Sequence, residues 1–337
     1  LHVARSRAKK PVVNQLVRRA WRASLPGLVI VLVFSVFINV LKFATPLYLV
    51  QVLDRVPASR SVETLVMLTS VTLLAVVAGL ALEAVRRRMF TRWGRWIEER
   101  FGHLLVQQGL DSASFNRAST TQQALDDLAT VRGFVIGPAI SWIDLLWAPF
   151  FFIAGYLVHP VFGLIGGIAV VGLVLLSMLQ EWATREPRRA SRRAYDHADD
   201  IVVTAERQIE SVGALTMTPH LTERWRQRMS ERHDERDRAQ SRQALFAFLK
   251  QALGQGVYLG SIAIGIWLFL HNALTLGGVF AGRIMLGSGY RLIDRALGSW
   301  RSLRDAASSY QAVKQQLTVE AATPPSVDEA NRTAPLI

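Results

Sequence analysis

The chain has 337 residues, 50% of them hydrophobic and 19% charged, with no cysteine and a formal net charge of +13. A mean hydropathy of +0.23 is too high for the two soluble domains that the length alone would suggest. Without cysteine there is no thiol nucleophile, disulfide framework, Cys-ligated zinc or iron–sulfur cluster.

Residues 1–23 carry seven Lys/Arg and no acid. Val13, Leu16, Val17, Ala20 and Trp21 share one helical face, with Arg18, Arg19 and Arg22 elsewhere. That pattern suits an interfacial elbow helix lying on anionic lipid, the alternative being a plain extension of the first span. The apolar run behind it is too long for a signal-peptide core, so no cleavage is expected. About 20 apolar residues cross a bilayer as a helix. Apolar windows fall at about 25–52, 64–83, 138–157, 161–180, 247–270 and 274–292, the last interrupted by Arg283 and Arg291.

The three short connections, 53–63, 158–160 and 271–273, hold two Lys/Arg, whereas 84–133 holds eight and 181–244 holds thirteen. The positive-inside rule then puts both termini and both long connections in the cytoplasm, as six crossings require. The long connections contain few Gly or Pro and read as charged helical hairpins. At 1.5 Å per residue their arms reach about 35–48 Å beyond the bilayer. The expectation is an all-α membrane protein over residues 24–317, with six transmembrane helices and two long cytoplasmic helical hairpins. Residues 318–337, polar and with paired prolines, read as a disordered linker-like tail.

Lys42, Asp144 and Arg283 fall inside predicted spans, where a charge is costly unless it faces protein or water. The depths of Lys42 and Asp144 differ by only ~4–5 Å, so a Lys42–Asp144 pair is within reach. With Arg283, they are the candidate lining of a translocation path; snorkelling and a structural ion pair are the alternatives. Asp54, Arg55 and Arg60 close the outer end of the first span and are candidates for an outer gate, against a merely solvated loop.

No G-x-x-x-x-G-K-[ST] phosphate loop occurs, so no ATPase activity is expected of this chain and no enzyme constellation stands out. Gly163, Gly166, Gly167, Gly287 and Gly289 lie in apolar spans, where they suit close helix packing. Gly256/Gly260 and Gly278/Gly282 have the small-xxx-small spacing for the same purpose. No metal site is expected, because the ligand types in Tyr195–Asp200 fall on several helical faces. No nucleic-acid partner is expected either, because thirteen basic residues interleave with twelve acidic ones in 181–244.

Four stretches resemble a known family. They are LYLVQVLDRVPASRSVETLVML, DDLATVRGFVIGPAISWIDLLWAPFFFIAGYLVHPVFGLIG, AERQIESVGALTM and LTLGGVFAGRIMLGSGYRLIDRALGSWRSLRDAASSYQAVKQQL. Their order and spacing over about residues 30–317 are similar to the membrane domain of type I ABC exporters, and closer still to the PrtD-like permease/ATPase subunits of type I secretion. The resemblance implies the ABC transporter type 1 transmembrane fold and a half-transporter that works as a homodimer or heterodimer. It implies coupling helices at about Leu110–Ala118 and His197–Arg207, with Ser112, Ser114, Phe115, Asn116, Asp199, Asp200, Thr204 and Glu206 as docking candidates. In the family pattern, position 42 is apolar and position 283 small, so Lys42 and Arg283 depart from it.

The implied function is that of a permease subunit exporting an unfolded polypeptide across the bacterial inner membrane. ATP and magnesium would be bound only by an ATPase domain on another chain, and the further partners are a periplasmic adaptor, an outer-membrane channel and membrane lipid. A lipid or small-molecule exporter, and a non-transporting scaffold or truncated remnant, are the alternatives.

Overall fold

In the computed structural model the described residues are 27–111, 115–207 and 218–320, with side chains over 27–107, 122–186 and most of 222–315. The expected elbow and all of the tail from residue 321 lie outside them. Among the described residues there is no strand. The helices are α1 (27–41), α2 (Ala44–Asp54), α3 (Val56–Ser59), α4 (Val62–Asp111), α5 (Phe115–Ile136), α6 (Pro138–Leu145), α7 (Ala148–Val158), α8 (Pro160–Arg207), α9 (Thr218–Leu270), α10 (Leu276–Gly298) and α11 (Trp300–Glu320).

Proline explains where most of these helices break. A proline ring collides with the carbonyl four residues earlier and offers no N–H of its own. Pro46 follows the interruption at Lys42–Phe43, and Pro149 the one at Leu146–Trp147. Pro57 and Pro138 stand in the first turns of α3 and α6, and Pro160 opens α8. The axis bends by 45° between Gln122–Ile136 and Pro138–Leu145. Arg60 and Asn272 take positive φ, 51° and 56°, at the turns after α3 and α9.

Four helical segments are long and apolar enough to cross a membrane: Gly27–Ser59, Val62–Gln107, Pro160–Glu186 and Thr222–Leu270. The bent pair formed by α5 and α6 adds a fifth if it counts as one span, and α7 is a shorter apolar helix. The expected third span is therefore divided between α6 and α7. The expected sixth, 274–292, coincides with most of α10, whose charges make it less apolar than the others. Its solvent is protein instead of lipid. Ten of its residues are buried, including Val279, Ala281 and Gly282, and it packs against α2, α6, α7, α8 and α9.

Glycines let aromatic rings key α10 to its neighbours. A Cβ on Gly282 would lie 2.5 Å from the Phe162 ring, and one on Gly289 would lie 2.8 Å from Phe152. Phe152 also occupies the surface of Gly166, at 2.6 Å. By contrast Gly167, Gly256 and Gly260 meet nothing within 4 Å, so the small-residue spacing on α9 is not used inside this chain.

Beyond the apolar stretch, α4, α8 and α9 continue as the expected long arms. One arm is a three-helix bundle of α4, α5 and α11 around Leu105, Ala124, Leu128 and Val313. Ser309 donates to Asp127 across it at 2.6 Å, and Arg132 donates to Glu98 at 2.6 Å. The other arm pairs α8 with α9, where Arg242 donates to the Ala183 carbonyl at 2.8 Å. Gly282→Ala should lower stability by about 1–3 kcal/mol, because Phe162 is 1% exposed and cannot retreat. Gly256→Ala should be neutral or slightly stabilising. Paired thermal melts in detergent check both.

Candidate translocation cavity

A cavity of about 1370 Å³ opens between α8, α9, α10 and α11. Seven cationic side chains and two acidic ones line it. Glu181 is already committed: it accepts from Arg301 Nε at 2.8 Å and pairs with Arg304 at 3.2 Å. Arg301 also reaches the buried Thr184 hydroxyl at 2.9 Å, which ties α11 to α8 at the edge of the cavity. Lys250 donates to Gln180 at 2.7 Å.

Arg283 lines this cavity, whereas the path candidates Lys42 and Asp144 lie elsewhere. Its guanidinium carbon lies 4.0 Å over the Tyr258 ring, a cation–π contact across α10 and α9. Its Nε is buried and has no hydrogen-bond partner. Arg291 and Arg295 continue the same lining, with Arg291 donating to Ser288 at 3.1 Å. An apolar span could not carry this row in lipid; α10 carries it because one side faces protein and the other a cavity.

Lys42 and Asp144 do not line the cavity. The Lys42–Asp144 pair is not formed, because Arg86 occupies the carboxylate. Arg86 Nη1 meets Asp144 Oδ1 at 2.6 Å, and Nη2 meets Oδ2 at 3.0 Å. The two residues are 1% and 2% exposed. Ser35 donates to the same carboxylate at 3.2 Å and accepts from Trp147 Nε1 at 3.1 Å. Asn39 donates to the Ser35 carbonyl at 2.8 Å, and Lys42 donates to Asn39 at 3.2 Å. Lys42 is therefore the far end of a chain of hydrogen bonds leading to Asp144.

This network joins the break between α1 and α2 to the break between α6 and α7. The Phe43 and Phe151 rings stack across it at 4.7 Å. Sequence reasoning missed Arg86, which reads as one of three consecutive arginines at the end of the second span. The signal available was the lone acid at Asp144, which demanded a cation.

Asp54 has a defined task. Its Oδ1 accepts the Gly277 N–H at 2.8 Å, while Thr275, the N-cap of α10, accepts the Gly278 N–H at 3.0 Å. The carboxylate thus meets the positive end of the α10 dipole and binds the first span to the last. A Cβ at Gly277 would sit 2.7 Å from both Asp54 and the Val50 backbone, so glycine is needed there. Arg55 and Arg60 are exposed at the same end. Of the coupling candidates, Ser112 and Ser114 lie outside the described residues. Phe115 and Asn116 begin α5, and Asp199, Asp200, Thr204 and Glu206 lie in distal α8; their side chains, like those of Tyr195–Asp200, are outside the described set.

Two outcomes follow. Arg86→Met should cost about 3–5 kcal/mol by leaving Asp144 charged and buried, and adding Asp144→Leu should recover most of it. Melting of the single and double variants in nanodiscs checks this. Asp54→Ala should cost about 0.5–2 kcal/mol, and hydrogen exchange should rise selectively at the Gly277 and Gly278 amides.

Residues 28–286 match the family described as ABC transporter transmembrane region. Among curated proteins, the chain is 30% identical over 291 residues to the type I secretion system ATP-binding protein PrsD of Rhizobium meliloti, covering 85% of this chain and 49% of that protein. It is 23% identical to the exotoxin translocation ATP-binding protein PaxB of Pasteurella aerogenes, over 83% of this chain and 40% of the relative. It is 22% identical to the leukotoxin translocation ATP-binding protein LktB of Mannheimia haemolytica, over 82% and 40%. The chain thus spans about half the length, or less, of these relatives, and what it shares with them is the membrane region. Apolar helices that traverse a bilayer, long arms beyond it and this alignment together make the chain a multi-pass membrane protein belonging to the ABC transporter transmembrane region family.

Proposed function

We propose that this chain is the membrane-embedded half of an ATP-driven exporter of type I secretion, moving an unfolded polypeptide across a bacterial inner membrane. The observation that carries the proposal is the charged cavity among helices that are otherwise built for lipid. Seven cations line that cavity, two of them paired with Glu181, which favours a path for a charged cargo over a scaffold. The names of the relatives, one a type I secretion protein and others toxin translocation proteins, support the same reading.

On this reading two copies, identical or paired with a related chain, enclose the path. A nucleotide-binding domain outside residues 1–337 binds ATP and magnesium, and this chain contributes no hydrolytic residue. Both termini and the two helical arms lie in the cytoplasm. The arm tips near Leu110–Ala118 and His197–Arg207 dock on that domain and pass its closure to the bundle. The Arg86–Asp144 pair keeps α4 and α6 moving as one body, and the Asp54–Gly277 contact holds the outer end shut until α2 and α10 part. A periplasmic adaptor and an outer-membrane channel receive the cargo.

The test is to delete the coding region and compare the culture-medium proteome with that of the parent. One or a few proteins should fall at least about tenfold and return on complementation, a change of ~1.4 kcal/mol or more if it were an equilibrium. An unchanged set of secreted proteins with altered outer lipid or small-molecule content would select the lipid or small-molecule reading. No change in either would leave a scaffold.

A further inference from the structure

The cavity is specific in one respect that export alone does not require. Three of its seven cations are arranged in a row along α10. Arg283, Arg291 and Arg295 all face the cavity, and between the first and last the helix rises by about 18 Å. Glu181 is held by Arg301 and Arg304, which leaves Asp294 as the other acid on the lining. Arg291 and Arg295 stand about one helical turn apart with Arg283 about two turns before them, and like charges along one wall favour an anion beside them. Arg283 is the most telling member, since the Tyr258 ring fixes its plane while its buried Nε has no acceptor.

We propose that this row is a reading site for an extended acidic segment of polypeptide, with carboxylates of the cargo meeting Arg283, Arg291 and Arg295 in succession. The inference rests on the exporter reading and names its substrate class. From Arg291 to Arg295 the helix rises by about 6 Å, and from Arg283 to Arg291 by about 12 Å. Same-side residues of an extended chain recur every ~6.6 Å, so these levels fall close to one and two such repeats. Guanidinium–carboxylate pairing is also the strongest polar contact that such a row can offer. A lipid headgroup presents its phosphate at one depth, whereas the row runs through several. Single-stranded nucleic acid would need free aromatic faces for its bases. Arg283 covers the Tyr258 ring and Trp300 packs on Trp142 at 5.8 Å, so Trp182 on α8 is a lone open platform and not a run of them.

The test uses the full chain in phosphatidylcholine nanodiscs and fluorescence anisotropy. The probe is a labelled peptide of about twelve alternating Asp and Ser residues, compared with its Asn–Ser counterpart. The acidic peptide should bind at least about tenfold more tightly, and its binding should weaken with salt. Arg283→Gln and Arg291→Gln should each remove most of that difference, Arg283→Lys should keep part of it, and Arg92→Gln, exposed on α4, should keep all of it. Arg291 is itself exposed, so its variant serves if Arg283→Gln does not fold. Equal binding of the two peptides, or unchanged binding in both Gln variants, would overturn the proposal. So would full displacement of the peptide by phosphatidylglycerol or oligothymidylate at equal charge, which would give the site to a lipid or a nucleic acid. Binding that fails while deletion still empties the medium removes the site and spares the exporter. Binding that holds while the medium is unchanged does the reverse.

Discussion

A charge inside an apolar bundle must be answered by the protein itself, and the arrangement of this chain follows from how Asp144 is answered. Its carboxylate takes a two-pronged contact from Arg86 and a third from Ser35. Three helices, α1, α4 and α6, are thereby fixed to one point. Two of the chain's interrupted segments meet there, which is the place where backbone groups freed by Pro46 and Pro149 need protein around them instead of lipid. The pair contributes little net stability compared with an apolar replacement, but it defines which helix faces which. Once α1, α4 and α6 are set, the remaining helices have a fixed wall to pack on.

The second consequence concerns α10. With α1 and α2 held on one side, and α7 and α8 on another, α10 is enclosed by protein and can be partly polar. Small residues at 277, 282 and 289 admit the backbone of α2 and the rings of Phe162 and Phe152. The side left over faces the cavity with Arg283, Arg291 and Arg295. One helix therefore serves both as the packing centre of the bundle and as a wall of the cavity. Its start is fastened by Asp54 and Thr275, so the two tasks are held in register from its N-terminal end.

Much of this was legible from the residues. Apolar length and charge asymmetry gave the all-helical membrane architecture and the two helical arms, because those depend on composition summed over many residues. A guanidinium in an apolar run has few destinations, and Arg283 lines a cavity. Pairing was harder to read. Lys42 and Asp144 have suitable depths, but depth along an axis carries no information about rotation around it, and Arg86 has the better angle. The same limit applies to glycine. Gly256/Gly260 and Gly278/Gly282 have identical spacing, yet of the four only Gly282 meets another helix, because spacing does not say which face is occupied. Asp54 read as a gate candidate with a solvated loop as the alternative, and its partner was out of sight because it is a backbone amide 223 residues away.

The position of Arg86 along α4 also has a mechanical meaning. The helix runs unbroken from Val62 to Asp111, 50 residues or about 75 Å. Arg86 is 24 residues from the first end and 25 from the second, so the buried ion pair lies at the midpoint, and α5, packed on the second half through Glu98–Arg132 and Leu105, travels with that half. A rigid rod held there is a see-saw with a mechanical ratio near one. A tilt of about 5° would carry each tip about 3 Å, in opposite directions, for arms of ~37 Å. Displacement imposed on one tip would arrive at the other undiminished and with its sense reversed. A grip nearer either end would magnify motion at one tip at the expense of force.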